Sequence, residues 1–224
     1  MIFPFSALSA AAVMASAATF AADVVPVWAE GPSTAEVAKA YPARAKAAHI
    51  GGQVNLTCQI DHRRPSQCAA LSETPEGYGF DHAARQLAGS LLTVDGSLNG
   101  KEVQVPVTFD PGVLDGATTV ARPVFVQIPA PSDFQASFPQ AANGVNHVRV
   151  VLACVVAAGG VPRDCSVEQE EPSGQGYGQG ALPVAAKFKV APWTSRGEPT
   201  VGARVRLPIR FELTPVTPPP AAKP

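Results

Sequence analysis

Gln53-Val54-Asn55-Leu56-Thr57-Cys58-Gln59-Ile60-Asp61 alternates at a period of two, with Val54, Leu56, Cys58 and Ile60 on one side and Gln53, Asn55, Thr57 and Gln59 on the other. Such alternation marks a strand with one face buried and the other in water. After a polar turn from Asp61 to Pro65, a shorter strand is expected over Ser66 to Glu73. A helix follows over Tyr78 to Leu91, where Phe80, Ala83, Ala84, Leu87 and Leu91 recur at helical spacing. Lys101 to Phe109 alternates again as a third strand. Upstream, Ser33 or Thr34 is placed to cap a helix, and Pro42 suits the first turn of a second short run ending at Ala48. The order helix, strand, strand, helix, strand predicts an α+β unit: a three-stranded antiparallel sheet with two helices on one face.

The same pattern occurs twice. Tyr41-Pro42-Ala43 matches Phe138-Pro139-Gln140, Val54 to Cys58 matches Val150 to Cys154, and Val105-Pro106-Val107-Thr108-Phe109 matches Leu207-Pro208-Ile209-Arg210-Phe211. The offset grows from 96 (58 to 154) through 99 (78 to 177) to 102 (109 to 211), as two copies with small loop insertions would show. For 224 residues this repeat selects two small units over one large one. The expected division is a leader at 1–22, a first module at 23–109, a linker at 110–123, a second module at 124–213 and a proline-rich tail at 214–224.

Each copy carries one cysteine pair, Cys58 with Cys68 and Cys154 with Cys165. Placed opposite each other on the arms of a hairpin, each pair falls within disulfide reach. Facing Cys154 with Cys165 makes Ala158 pair with Val161 and leaves Gly159-Gly160 as a tight two-residue turn. In the first copy the turn centres on Arg63. Free buried thiols and a metal site are the competing readings, and no histidine cluster accompanies the cysteines to favour metal.

Seventeen basic and eighteen acidic residues leave a net charge of −1, which argues against nucleic acid as a partner. Met1 to Ala22 contains no charged side chain and ends in small residues, which reads as an export signal cleaved after Ala21 or Ala22. An uncleaved anchor is the alternative, and membrane contact is expected only in that case. Export suits the even cysteine count, since an oxidising compartment lets pairs close.

Pro106 and Pro208 stand at the same place in the third strand of each copy. Proline cannot donate to a sheet ladder, so each third strand is expected at an exposed edge. Such an edge either recruits an extended peptide or uses its proline to block aggregation. Pro183 is harmless if its helix starts near Gly180. His49, His62, His82 and His147 fall in unrelated contexts, and Asp81 reads as a first-turn helix charge. Glu168, Glu170 and Glu171 read as a solvated strand end, and the glycines from Gly174 to Gly180 as a flexible turn. No nucleophile, base and orienter assemble. No enzyme activity, cofactor or metal is therefore expected.

Tyr41-Pro42-Ala43-Arg44-Ala45 with Ile50-Gly51-Gly52-Gln53-Val54 resembles the opening of the TonB C-terminal domain. Gly176-Tyr177-Gly178, Phe188-Lys189-Val190-Ala191-Pro192, Gly197-Glu198-Pro199 and Val205 to Phe211 are similar to that family's later motifs. The resemblance covers Val27 to Phe109 and Val124 to Phe211. It implies a non-catalytic periplasmic protein that binds extended segments of envelope proteins, including the N-terminal segments of TonB-dependent outer-membrane receptors, by strand addition in the service of outer-membrane transport. Carried onto this chain, the pairing edges are Val103, Val105, Val107 and Phe109 in the first copy. In the second they are Arg204, Val205, Arg206, Leu207, Ile209, Arg210 and Phe211. The second copy keeps more of the family's pattern at Lys187 to Pro192, so it is the expected binding surface. A structural or assembly factor of the envelope, with both edges covered, is the alternative.

Overall fold

The computed structural model describes residues 26–137 and 147–212. The leader, the Phe138-Pro139-Gln140 match and the tail lie outside the described residues. The fold is α+β with antiparallel sheets. Its elements are α1 (Thr34–Ala40), α2 (Ala43–Ala48), β1 (Gly52–Asp61), β2 (Arg64–Thr74), α3 (Phe80–Leu91), β3 (Glu102–Phe109), β4 (Thr119–Val120), β5 (Phe125–Gln127), α4 (Pro131–Ser137), β6 (His147–Val156), β7 (Pro162–Glu171), α5 (Tyr177–Ala185), β8 (Lys189–Val190) and β9 (Arg204–Glu212).

One sheet has the order β2-β1-β3. Val54, Leu56, Cys58 and Ile60 enter its core with Phe80, Ala84 and Leu87 of α3, as their alternation and helical spacing require. Ser33 caps α1 by accepting from the Glu36 N–H while the Glu36 carboxylate accepts from the Ser33 N–H, closing both ends of a capping box. The other sheet has the order β4-β9-β6-β7, with β4 parallel to β9. Three antiparallel strands were expected there. The fourth arises because the linker runs beside β9, where the Arg204 N–H donates to the Thr118 carbonyl at 2.9 Å. A small third sheet joins β5 to β8.

Both disulfides are closed, Cys58–Cys68 and Cys154–Cys165, each with Cα atoms 4.1 Å apart. The expected hairpin registers are each displaced by a bulge. Gln59 pairs with Ser66 but Thr57 pairs with Ala69, so Cys58 faces both Gln67 and Cys68. Likewise Val155 pairs with Arg163 but Ala153 with Ser166, so Cys154 faces Asp164 and Cys165. The extra residues, Gln67 and Asp164, take φ of 48° and 50°. The bulges move both turns. In the first hairpin the loop is His62-Arg63, a two-residue turn with φ of 48° and 67°. In the second, the Ala157 N–H donates to the Val161 carbonyl and the loop is Ala158-Gly159-Gly160, one residue longer than expected. Gly159 and Gly160 do take positive φ, 78° and 80°.

α5 also starts earlier than expected, at Tyr177, which puts Pro183 in its interior. The missing N–H leaves the Gln179 carbonyl without its helical donor, and the helix stops two residues later. No helix among the described residues is long and apolar enough to cross a membrane.

Candidate functional site

The third strands β3 and β9 carry the residues expected to bind. Along an antiparallel strand, backbone N–H and C=O groups point alternately toward and away from the neighbour. The Ile60 N–H donates to Lys101 and the Val156 N–H to Ala203, which sets the phase of both ladders. Val103, Val105, Val107 and Phe109 therefore turn their backbone groups to β1, and Val205, Leu207, Ile209 and Phe211 turn theirs to β6. The described side chains of this set, among them Val105 and Leu207 at 0% exposure, fill the two cores. The described members of this set hold their strands in place, with backbone groups turned to the neighbouring strand and side chains to the core. The outward set is Glu102, Gln104, Pro106 and Thr108 on β3, and Arg204, Arg206, Pro208, Arg210 and Glu212 on β9. Both prolines belong to it, so neither removes a hydrogen bond from its sheet.

β3 lies at the edge of its sheet, and the chain itself covers its rim at Pro106 and Thr108. The Thr108 N–H donates to the Gly197 carbonyl at 2.7 Å, the Thr108 hydroxyl to the Arg196 carbonyl at 2.6 Å, and the Trp193 indole N–H to the Pro106 carbonyl at 3.2 Å. Trp193 is 2% exposed and sits in the core of the first sheet. Thr194 shapes this loop by accepting from the Arg196 and Glu198 N–H groups. Gly197 has φ of +80°, and a Cβ there would lie 2.3 Å from the Pro106 carbonyl oxygen, so only glycine lets the loop approach.

β9 differs. β4 covers it only at Arg204 and Val205. From Arg206 through Arg210 the outward backbone groups have no partner among the described residues. Arg206 holds Glu168, a bulge residue of β7, through two bonds of 2.7 and 2.6 Å. That contact keeps the Glu168 carboxyl below its usual range and raises the guanidinium. Arg210 is exposed and stands directly opposite Arg149 of β6.

The acidic cluster is more than a solvated strand end. Besides Glu168, Glu170 accepts from the Gln175 and Tyr177 N–H groups at 3.0 Å and so caps α5, whose own N-cap Gly176 has no side chain. Glu73 does the same for α3 through the Phe80 N–H. His49 meets Asp115 at 3.1 Å, His62 meets Asp61 at 2.9 Å, and Asp81 pairs with Arg85 one turn on. No three metal-ligating side chains converge among the described residues.

Sequence reasoning missed the Trp193 to Gly197 loop and β4. One signal was present: the connection from helix to last strand spans 186–203 in the second copy but only 92–101 in the first. A cleft of about 1120 Å³ also opens between the N-terminal segment and the second sheet's hairpin tip, lined by Trp28, Glu30, Gly160, Lys189, Pro192 and Val201 among others. Comparison with family models, curated proteins and solved structures gave no match.

Proposed function

We propose that this is a non-catalytic, exported protein of the bacterial envelope, built from two TonB-like modules, whose second module captures an extended peptide by strand addition along β9. The observation that carries the reading is the open rim from Arg206 to Arg210, interrupted only by Pro208. Backbone groups supply most of the affinity in this mode, which suits a partner such as the N-terminal segment of an outer-membrane receptor. The first module acts as a scaffold, because Gly197 and Trp193 already cover its rim at Thr108 and Pro106. Two closed disulfides suit an oxidising compartment such as the periplasm.

Peptides from receptor N-termini, titrated into isotope-labelled protein, should shift the Arg206 and Arg210 amides and leave Thr108 unmoved. Arg210→Pro removes one outward donor without touching the β6 ladder and should weaken binding. Shifts confined to residues away from β9, or none at all, would sink the proposal. The covered rim of β3 favours a second reading, an assembly factor whose modules serve chiefly to pack on each other. Peptide-independent protection of the Arg206 and Arg210 amides from hydrogen exchange would support it.

A further inference from the structure

On the side away from β3 and β9, the two large sheets end in β2 and β7, which hold the same place in the two copies. Both strands are bulged twice, at Gln67 and Leu71 in β2 and at Asp164 and Glu168 in β7. The backbone plan is therefore shared, and only the side chains differ. β7 sets Asp164, Glu168, Glu170 and Glu171 against one Arg163. Carboxylates along an edge repel a second edge of the same kind, which guards it against unwanted pairing. β2 has no such guard: from Ser66 to Ser72 it holds no charge and no proline. Leu71, where β7 has Glu168, is 60% exposed. Among the described residues, the backbone from Ser66 to Ser72 bonds to β1 alone. The two charges of β2, Arg64 and Glu73, stand near its opposite ends. Arg64 is tethered to the Ser90 carbonyl and Glu73 to the Phe80 N–H, so both charges are held in place. An antiparallel strand of the same sequence brings Arg64 of each near Glu73 of the other, and the edge is complementary to itself.

We infer that β2 pairs with β2 of a second copy of this chain, antiparallel about a two-fold axis at Ala69, joining two three-stranded sheets into one. With the axis there, Gln67 meets Leu71 and Cys68 meets Ala70 of the second copy. Ala69 turns its backbone to Thr57 of β1, so across the axis it faces its own copy without hydrogen bonds. Side chains come closest at such a site, and alanine is small enough to fit. Leu71 then covers its apolar surface against Gln67 of the second copy. The interface lies on a different sheet from β9, and it stands or falls independently of peptide capture there.

Sedimentation velocity of the full chain, over about a hundredfold range of concentration, should show monomer passing to dimer. Pairing over so short an edge buries less than a standard interface, so the dimer is weak and reversible. Ala69→Glu and Ala69→Lys, at an exposed position, set like charges against each other and should each raise the dissociation constant about tenfold. An equimolar mixture of the two variants should restore the dimer, a rescue that a misfolded chain could not give. Amide exchange between Gln67 and Leu71 should slow as concentration rises, while the Arg206 and Arg210 amides stay unchanged. A wild-type chain that remains monomeric throughout overturns the proposal, as does a dimer that both Ala69 variants leave intact. Slowed exchange between Gln67 and Leu71 only when envelope peptides are added would assign the edge to a foreign strand and overturn the second copy.

Discussion

Tyr41 shows how much one side chain fixes. Its hydroxyl donates to the Ile50 carbonyl at 2.7 Å, with the Phe109 carbonyl also in reach at 3.3 Å. Its ring meets Phe80 and Phe109 edge-on. It thereby ties the junction between α1 and α2 to the entry of β1 and the exit of β3. Burial, and then the nearby Asp110 charge, push its phenol from 10.0 up to about 12. The folded state thus holds this proton more tightly than the unfolded chain does. The contribution to stability is fully present below pH 10 and is lost as pH climbs from 10 toward 12. An absorbance titration should find one tyrosine ionising near 12, and Tyr41→Phe should remove that step. The same substitution should cost about 1–2 kcal/mol in urea unfolding, because two carbonyls lose a donor. A titration that Tyr41→Phe left unchanged would contradict the burial assigned to Tyr41.

The elements follow local rules that the sequence states openly, with exceptions that trace to nonlocal partners. The alternation from Gln53 to Asp61 and the spacing in α3 depend only on which face meets the core, so both were legible. The hairpin registers were not, since a bulge at Gln67 or Asp164 leaves the alternation on the other arm unchanged. The start of α5 was hidden for a different reason. Its cap comes from Glu170, seven residues before Tyr177 and on another element, while the local sequence offers only glycines. Helix N-termini need acceptors for their free N–H groups, and a carboxylate there also meets the helix dipole favourably. Glu170→Ala should therefore lower stability by about 1 kcal/mol, and Glu170→Gln, which keeps an acceptor oxygen, by less. Urea midpoints of the two variants check this. Equal loss in both would mean that charge, and not the hydrogen bonds, carries the cap.

At the scale of the molecule, the two copies are alike in sequence yet their last strands are covered at different places, β3 near its C-terminal end and β9 near its N-terminal end. Pro106 and Pro208 announced two edges, and nothing near either proline distinguishes them. The distinction lies far along the chain from β3, in the loop that spans 186–203 where its counterpart in the first copy spans only 92–101. That loop sends Trp193 into the first core and lays Gly197 on β3. A repeat alignment compares each residue with its counterpart, so a contact made by one copy upon the other is invisible to it. If the loop is anchored by Trp193, Trp193→Ala should free it. The truncation should cost about 3–5 kcal/mol, as for other large buried side chains. Hydrogen exchange should then separate the two directions of β3. The Thr108 amide, which donates to Gly197, should lose protection, while Val105 and Val107, turned to β1, should keep most of theirs. Loss at all three together would report global unfolding, and retention at Thr108 would show that Gly197 holds the rim without Trp193. In the expected case the variant exposes a second rim. Peptides that bind β9 should then also protect Thr108, which turns the unequal copies into two comparable sites.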